Sequence, residues 1–511
     1  MKKNGIAVID YGSQYTQLIA RRIREEGVFS VIYNYANAIE RIKEIEPKGI
    51  ILSGGPSSVY EPKAPNLDKL LINIGVPILG ICYGMQLLAH TLGGKVIKGE
   101  KREYGHCKVK RKSISKILNG LPKEYTVWMS HGDIVEEMSD GWKIIISSDN
   151  CPIAGFENKE MNIYALQYHP EVIHSEYGME VIRNFIYKIC KCEKNWSMGQ
   201  YIKELIEGIK SQTVGKQVMV AVSGGVDSTV LAYLLYKAIG NKMVGVFIDN
   251  GLLRKDEGDK VVNRFNKLGI PINLIDASEI FLKNLKGVIE PERKRRIIGE
   301  TFVDVFKNYA KQLKEVEYFA QGTLNPDVVE SGVSIGPSSV IKTHHNLVEE
   351  VKRMGYTVLE PFRELFKDEV RNIGKLFSLP DEVILQHPFP GPGLAVRIIG
   401  EITKEKLSII READEIIIEE IKKANLYNEL WQCFPILLPI RTVGVMGDQR
   451  SYNYVIAVRA IKSIDGMTAN WAMLPYEVLT RISSRIVNEV KQINRVAYDI
   501  TNKPPATIEW E

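Results

Sequence analysis

The sequence predicts an α/β protein in which helices cover a parallel sheet. Short apolar runs alternate with amphipathic stretches over the first third of the chain, and the same alternation starts again at Gln217. Such alternation is typical of parallel sheets, because each parallel connection needs a crossover. The composition agrees with a globular protein, since 45% of the residues are hydrophobic and 25% are charged. At about 150 residues per domain, the 511 residues predict roughly three domains.

The charge and the cysteine content exclude several classes of protein. The 67 basic and 62 acidic side chains leave a net charge of +5, which suits small anionic substrates and requires no nucleic acid or membrane partner. The six cysteines are scattered and form no Cys-x-x-Cys pair, so neither a disulfide framework nor a zinc knuckle is expected. No apolar run is long enough for a transmembrane helix, and the N-terminal run is interrupted by Asp10. We therefore expect a cytoplasmic protein.

The first region, residues 1–194, contains the clearest strand and helix patterns. Apolar runs that end in glycine or polar turns predict its buried strands. Apolar residues at helical spacing predict its helices. A polar stretch, 191–200, is expected to be a linker. The predicted strands are 5–10, 49–53, 76–81, 127–129 and 163–167, and the predicted helices are 17–26, 85–92 and 179–190.

The second region, 195–386, and the third, 387–511, follow. The second opens with a strand, a glycine-containing turn, a helix and a further strand. Three prolines in 387–394 predict a stiff connector into the third region. The predicted elements are a strand at 217–222, a turn at 223–228, a helix at 229–239, a strand at 243–248, a helix at 404–424 and apolar runs near 441–445 and 454–458.

Cys82 is the first candidate catalytic residue. It stands in Gly-Ile-Cys-Tyr-Gly, 80–84, after an apolar strand and at the start of a helix. This is the thiol version of a nucleophile elbow, in which small flanking residues allow a sharp, exposed turn. The start of a helix favours the thiolate, which is the reactive form. The alternative is a small buried side chain, the usual state of a free cysteine.

Two further segments supply partners for Cys82. His169 follows the strand at 163–167 and is the best candidate for the general base, and Glu171 is placed to orient its ring. His131, in 129–133, competes for the role of base. The backbone N–H groups of Gly55, after the strand at 49–53, and of Tyr83 are candidates for an oxyanion hole.

The segments 53–56, 80–84 and 167–171 together resemble the class I (triad) glutamine amidotransferases. The resemblance implies hydrolysis of glutamine through a thioester at Cys82, with His169 and Glu171 completing a triad and ammonia as the released product. It also implies the fold of that family for the first region.

The turn after the strand at 217–222 is a candidate phosphate-binding loop. Its glycines let the backbone approach phosphate oxygens, and the following helix begins with free N–H donors. The lysine of a Walker A motif is absent, which disfavours γ-phosphate transfer. Asp227 in this anion-binding loop indicates Mg²⁺, directly or through water. Asp249, after the next strand, is placed to hold a nucleoside. The alternative is an ordinary glycine turn capped by serine.

The six residues of this turn, Ser-Gly-Gly-Val-Asp-Ser at 223–228, resemble the PP-loop of the N-type ATP pyrophosphatases. Those enzymes have a Rossmann-type fold similar to that of adenine nucleotide α-hydrolases. The resemblance implies cleavage of ATP between its α- and β-phosphates and transfer of AMP. The segment 364–371 also matches that group, and Lys367 within it is placed to neutralise pyrophosphate. The predicted ATP-binding residues are Ser223, Gly224, Gly225, Val226, Asp227, Ser228, Thr229, Asp249 and Lys367.

The third region indicates the acceptor of the ammonia. Its segments 387–394, 443–448 and 503–511 resemble the GMP synthetase family, and with the other motifs the resemblance spans essentially the whole chain. It implies amination of xanthosine monophosphate (XMP) at C2, giving GMP, AMP and pyrophosphate, with ATP and Mg²⁺. It also implies a homodimer through a small α+β C-terminal domain. The expected XMP-binding residues are Arg295, Pro390, Gly391, Gly393, Lys503, Thr507 and Glu509.

Two departures from that family and two rival functions stand beside this interpretation. Asn325 and Leu347–Glu350 replace residues usual in the family, which leaves the roles of that stretch open. One rival is an amidotransferase that adenylylates a different acceptor, such as a carboxylate. The other is a nucleotide sensor without catalysis, against which the nucleophile at Cys82 argues.

Overall fold

The structure is a computed structural model that describes residues 4–313, 315–324, 351–446, 449–463 and 468–511. The two family departures at Asn325 and 347–350 lie outside the described residues. The chain divides into two compact units. The first contains the described residues up to Ile202 together with 323–324 and 362–366, and the second contains the remaining described residues. Among the described residues, no helix has the length and apolar character needed to cross a membrane.

The first unit is built on a nine-stranded sheet in the order β2-β1-β3-β4-β9-β8-β7-β5-β6. The strands from β2 to β9 in that order are parallel, as predicted, whereas the last four are antiparallel. The bounds are β1 Gly5–Asp10, β2 Ser30–Asn34, β3 Pro47–Leu52, β4 Ile78–Ile81, β5 Lys95–Arg111, β6 Glu124–Glu137, β7 Lys143–Ser148, β8 Gly155–Asn158 and β9 Ile163–Leu166.

The antiparallel extension was not predicted, because β5 is rich in charged residues and carries no continuous apolar run. From Glu103 to Lys110 its residues alternate between buried or half-buried and exposed positions, which suits a strand with one exposed face, but the inward positions include Glu103 and Gly105 and so give no apolar alternation. The predicted strand at 127–129 is therefore only the centre of β6, which pairs with β5 over most of its length.

Helices of the first unit cover the parallel part of the sheet. α1 buries Ile19, Ala20 and Ile23, the apolar face that its spacing predicted. The predicted linker is not wholly solvated, because Trp196 packs on Phe29 at 5.7 Å between ring centroids. The bounds are α1 Thr16–Glu25, α2 Ala38–Arg41, α3 Lys69–Ile72, α4 Tyr83–Thr91, α5 Gly178–Arg183, a π-helical stretch Asn184–Ile189, and α6 Met198–Gln212, which crosses the division between the units.

The second unit contains a five-stranded, fully parallel sheet in the order β12-β11-β10-β13-β14. The strand order reverses at β10, which is the central strand. The bounds are β10 Gln217–Val222, β11 Met243–Asp249, β12 Ile272–Asp276, β13 Val316–Ala320 and β14 Thr357–Leu359, with helices α7 Val226–Ile239, α8 Glu257–Lys267, α9 Ser278–Leu285, α10 Pro291–Ala310, α11 Lys367–Leu376 and α12 Asp381–Ile384.

The same unit ends in a smaller sheet of four described strands, most of it a long antiparallel hairpin. A helix packs its isoleucines, such as Ile410 and Ile417, into the core there. The bounds are α13 Lys404–Lys423, β15 Gln432–Met446, β16 Gln449–Lys462, β17 Asn470–Trp471, α14 Tyr476–Glu489 and β18 Ile493–Tyr498.

The strands of this smaller sheet are longer than the predicted runs: the run at 441–445 is the exposed end of β15, whose buried half at 432–437 was not predicted, and the run at 454–458 is the middle of β16. Pro435 and Pro439 interrupt the apolar part of β15, and proline is unusual inside a strand.

Candidate active sites

The three segments that carry the predicted glutaminase site follow neighbouring strands of the first sheet. Gly55 follows β3, Cys82 follows β4 and His169 follows β9, and β4 lies between the other two. The carboxyl ends of parallel strands meet at one edge of a sheet, where ligands commonly bind. The topology therefore brings these residues, which are far apart in sequence, to the same edge.

Cys82 occupies a strained turn between β4 and α4. Its φ is +53° and its ψ is −108°, outside the regions that non-glycine residues prefer. Its N–H donates to the carbonyl of Leu166 at 2.8 Å, which fixes the turn against β9. A Cβ on Gly84 would lie 2.4 Å from the carbonyl oxygen of Leu52, so only glycine fits there. Strain of this kind costs about 1–3 kcal/mol and is concentrated at functional sites.

His169 and Glu171 form a buried pair. Nδ1 of His169 lies 2.7 Å from Oε1 of Glu171, and both residues are almost completely buried. Burial disfavours the charged ring, but the negative charges of the Glu171 carboxylate and of the Cys82 thiolate, which both accept hydrogen bonds from the ring, outweigh it and raise the pKa of His169 well above its ordinary value. Because Nδ1 faces the carboxylate, Nε2 is the ring nitrogen available to Cys82.

The oxyanion-hole candidates also lie together. A Cβ on Gly55 would be 3.0 Å from Cδ1 of Tyr83, so the two residues are in contact. The hydroxyl of Tyr83 donates to the carbonyl of Pro65 at 2.7 Å, which holds its ring in place. The assignment of their N–H groups to an oxyanion hole stays a prediction.

The rival base, His131, is engaged elsewhere. Its Nε2 lies 3.0 Å from Oε2 of Glu103, and its Nδ1 lies 3.0 Å from the carbonyl oxygen of Asp133. Burial opposes ionisation of Glu103, but hydrogen bonds from His131, Ser148 and Cys107 lower its pKa to about 2. With both ring nitrogens occupied, His131 is poorly placed to accept a proton from Cys82, so the geometry favours His169.

One contact of the thiol was not predicted from the sequence. Sγ of Cys82 lies 3.6 Å from the carbonyl oxygen of Ser130, the residue before His131. No side-chain pattern signals a backbone acceptor. The only sequence signal in this part of the chain was His131, in 129–133, as a rival base.

The role of Glu171 can be tested by replacing it with glutamine, which keeps an acceptor for Nδ1 but removes the charge. We expect the pKa of His169 to fall, so that the ring loses its proton at lower pH. The alkaline limb of glutaminase activity should then move to lower pH, since a neutral ring cannot protonate the leaving ammonia. We expect a rate loss of about 100-fold. NMR titration of the ring measures the shift.

Glu176→Gln is the matched control, because that nearby carboxylate accepts a hydrogen bond from the N–H of Thr126 at 2.7 Å and does not contact His169 in the described contacts. It should leave the titration unchanged. An identical titration of His169 in Glu171→Gln and in the unmodified chain would contradict the assigned role.

The predicted phosphate loop follows β10, where the strand order reverses. Such a switch point is the usual ligand crevice of open α/β sheets. Gly224 has a φ of +80°, and a Cβ there would lie 2.7 Å from Cγ2 of Val261. Helix α7 begins at Val226, earlier than predicted, because the last three residues of the hexapeptide form its first turn. Its first N–H groups are therefore available to an anion.

Hydroxyl groups hold the loop closed. Oγ of Ser223 and Oγ of Ser228 are 3.0 Å apart, and the N–H of Ser223 donates to Ser228 at 3.1 Å. The hydroxyl of Thr229 donates to the carbonyl of Gly225 at 2.8 Å. The loop is thus held in its curved shape by hydrogen bonds between its own residues.

Two charged predicted residues lie at this loop. Nζ of Lys367, the first residue of α11, is 3.8 Å from Oδ2 of Asp227. Asp249 ends β11, the neighbour of β10, and its Oδ1 accepts from the N–H of Gly251 at 2.8 Å. The structure therefore brings the loop, Lys367 and Asp249 to one edge of the second sheet.

The expected XMP-binding residues have partners of their own. The guanidinium of Arg295 donates to the backbone oxygen of Glu511, and the hydroxyl of Thr507 donates to that of Glu509. The backbone of Lys503 pairs with Ala469.

The carboxylate of Glu509 is not free, because both its oxygens accept from Arg397 at 3.1 Å. A carboxylate has about four acceptor sites, so Glu509 retains capacity for a ligand. Arg397 was missed in the sequence, where it follows an apolar stretch and looks unremarkable.

In the loop after the prolines, the N–H of Gly393 donates to the carbonyl of Pro390 at 2.9 Å. Gly391 is exposed, and a Cβ there would meet no atom within 4 Å. The loop thus combines an internally bonded turn with one open position.

Comparison with known proteins gives three matches to family models. Residues 7–189 match glutamine amidotransferase class-I, 198–300 match NAD synthase, and 419–510 match the GMP synthase C terminal domain. The chain is 54% identical over 511 residues to the glutamine-hydrolyzing GMP synthase of Aquifex aeolicus, with 100% of both chains covered. The chain belongs to the glutamine-hydrolysing GMP synthase family. It is also 54% identical to the Brachyspira hyodysenteriae member, with 99% of each chain covered.

Membership of the GMP synthase family confirms the predicted family, the fold class and the class of enzyme. The order of the three matches agrees with the predicted order of regions. The boundaries 1–194, 195–386 and 387–511 and the roles of the individual site residues stay predictions.

Proposed function

We propose that this chain makes GMP from XMP, glutamine and ATP, with the chemistry divided among three groups of residues. The observation that carries this proposal is the full-length match to glutamine-hydrolyzing GMP synthases. The geometry of the two sheet edges supports the assignment of residues to steps.

The first group releases ammonia. The thiolate of Cys82 attacks the amide carbon of glutamine, and the N–H groups of Gly55 and Tyr83 stabilise the oxyanion. His169 takes the thiol proton and delivers it to the leaving nitrogen, so the C–N bond breaks and a thioester remains. Water then hydrolyses the thioester, which releases glutamate and restores the thiol. Glu171 holds the ring of His169 and favours its charged form.

The second group activates the acceptor. The loop 223–228 and the start of α7 bind the phosphates of ATP, and the C2 oxygen of XMP attacks the α-phosphorus. The bond between the α- and β-phosphates breaks, and pyrophosphate leaves with its charge offset by Lys367. Asp249 is placed to contact the nucleoside.

The residues at this loop fit Mg²⁺. Asp227 offers a carboxylate beside serine hydroxyls, and Mg²⁺ usually takes few protein oxygens together with substrate phosphates. Asp227 would hold the ion, which supplies positive charge to the phosphates when it is bound.

The third group holds XMP while ammonia attacks C2. The new C–N bond forms, the bond from C2 to the adenylyl oxygen breaks, and AMP leaves. Glu509, Thr507 and Lys503 in the C-terminal segment and Arg295 in α10 are proposed to contact XMP, together with the loop 390–393.

We also infer that the chain forms a homodimer through its C-terminal sheet. Val443, Val445 and Tyr452 are 50%, 73% and 57% exposed. Val443 pairs directly with Tyr452 across the hairpin, and Val445 is two residues from Val443, so the three side chains share one face. An exposed apolar face of this kind fits a protein contact. A chain that sediments only as a monomer would contradict this inference.

The reaction is tested by incubating the chain with XMP, ATP, Mg²⁺ and glutamine labelled with ¹⁵N in its amide. We expect GMP, AMP and pyrophosphate in equal amounts, with ¹⁵N in the amino group of GMP. Ammonium in place of glutamine should also support synthesis. Failure to form GMP from XMP would favour an amidotransferase with another acceptor.

A further inference from the structure

A cluster of four charged side chains lies beside the proposed XMP-binding segments of the second unit. Arg397 is fully buried and donates to both oxygens of Glu509 at 3.1 Å. Its Nη1 lies 3.6 Å from Oδ1 of Asp414, and Nε of Arg254 lies 3.2 Å from Oδ2 of the same carboxylate. The two positive and two negative charges balance, as buried charges require.

An aromatic ring connects this cluster to the proline-containing loop. The ring centroid of Phe389 is 5.0 Å from the guanidinium carbon of Arg254 and 5.2 Å from that of Arg397. Phe389 directly precedes Pro390, the first proposed XMP-binding residue of the loop. Both arginines therefore contact the start of the loop through one ring.

The other end of the loop is fixed to the chain just before Arg254. Gly393 has a φ of +63°, and a Cβ there would lie 2.4 Å from the carbonyl oxygen of Leu252. The N–H of Leu394 donates to that oxygen at 2.8 Å. The loop thus depends on the segment from Leu252 to Arg254 at both of its ends.

We propose that Arg254 and Arg397 are positioning residues that hold the loop 390–393 and Glu509 in the arrangement that XMP requires. This inference rests on the proposed function, because it takes those segments as the XMP site. Arginine suits the role, since one planar group can bind a carboxylate with its fork and stack on a ring with its face. Lysine can bind the carboxylate only as a point charge and has no planar group to stack on the ring.

A purely stabilising role is a weaker explanation of the cluster. Buried ion pairs contribute little net stability, because the loss of hydration offsets their attraction. Here Arg397 contacts both the loop, through Phe389, and the C-terminal segment, through Glu509. Arg254 contacts the same ring and shares the carboxylate of Asp414 with Arg397. Orientation of those segments explains the arrangement more directly.

Loss of Arg254 should leave the segment that follows Asp249, a proposed ATP-binding residue, in place. Arg411 of α13 donates to the carbonyl oxygens of Gly251 and Leu253 at 2.7 and 2.9 Å. These contacts hold the segment after Asp249 independently of Arg254. We therefore expect a defect that is selective for XMP.

The test uses the full chain and steady-state synthesis with ammonium. Arg254→Gln and Phe389→Leu should each raise the KM for XMP about tenfold or more while the KM for ATP stays within twofold. Arg254→Lys, which keeps the charge but not the planar face, should recover only part of the loss. Phe389→Leu leaves no buried charge unpaired, so it remains informative if Arg254→Gln folds poorly.

Arg481→Gln is the matched control. Arg481 lies in α14 and pairs at 2.8 Å with Glu420 of α13, the helix that also carries Asp414, so the variant likewise removes an arginine–carboxylate pair to that helix. It should leave the KM for XMP unchanged. A KM for XMP within twofold of normal in Phe389→Leu and in any folded Arg254 variant would overturn the inference while the proposed function stands. An unmodified chain that makes no GMP would overturn both.

Discussion

Cys82→Ala should abolish the synthesis of GMP from glutamine and leave the synthesis from ammonium largely intact. The expected loss with glutamine is at least about 1000-fold, because removing a nucleophile removes the covalent route altogether. The ammonium reaction needs only the second and third groups of residues, none of which lies in the first unit. Parallel assays with the two nitrogen sources measure the ratio.

We also expect Cys82→Ala to remain folded, so that the variant loses the glutamine-dependent activity without losing the ammonium-dependent one. Alanine is smaller than cysteine and is no less tolerated at the positive φ of this turn, so the elbow should persist. Cys192→Ala, at a partly exposed cysteine outside the proposed site, controls for the loss of a thiol. If Cys82→Ala lost both activities at an unchanged melting temperature, the two chemistries would not be separable in the way proposed.

The inner strands of the parallel sheets could be predicted because they are buried on both faces, whereas β12, which is mostly exposed or half-buried, was not predicted. β1 and β10 have the predicted bounds, since continuous apolar runs ending in glycine or polar residues leave little choice. β5 and β6 could not be predicted over their full length. Their stability comes from pairing with each other, and pairing between distant residues is invisible in a local pattern.

The candidate site residues could be predicted where a backbone requirement marks them. The glycines around Cys82 and in the loop 223–228 reveal close approaches of main chain and side chain. Glu103 and Arg397 carry no such mark. Each acquires its partners, His131 and Glu509, only through the fold, so a single sequence shows two ordinary charged residues.

Asp227→Asn should remove GMP synthesis with either nitrogen source. The asparagine keeps the size of the side chain in the first turn of α7 but loses the charge that is proposed to hold Mg²⁺. We expect a loss of about 100-fold or more, and a higher Mg²⁺ concentration for half-maximal activity in any residual reaction. Glutamine hydrolysis, assayed without nucleotides, should be unchanged.

The competing role for Asp227 is a favourable charge at the start of a helix, which contributes about 0.3–1 kcal/mol. Asp259→Asn tests that role alone, because Asp259 is an exposed acid in the first turn of α8. The two variants should lose similar, small amounts of stability, but only Asp227→Asn should lose synthesis. Normal synthesis by Asp227→Asn at low Mg²⁺ would exclude the carboxylate as the ligand, because an amide oxygen without charge binds Mg²⁺ far less well than a carboxylate.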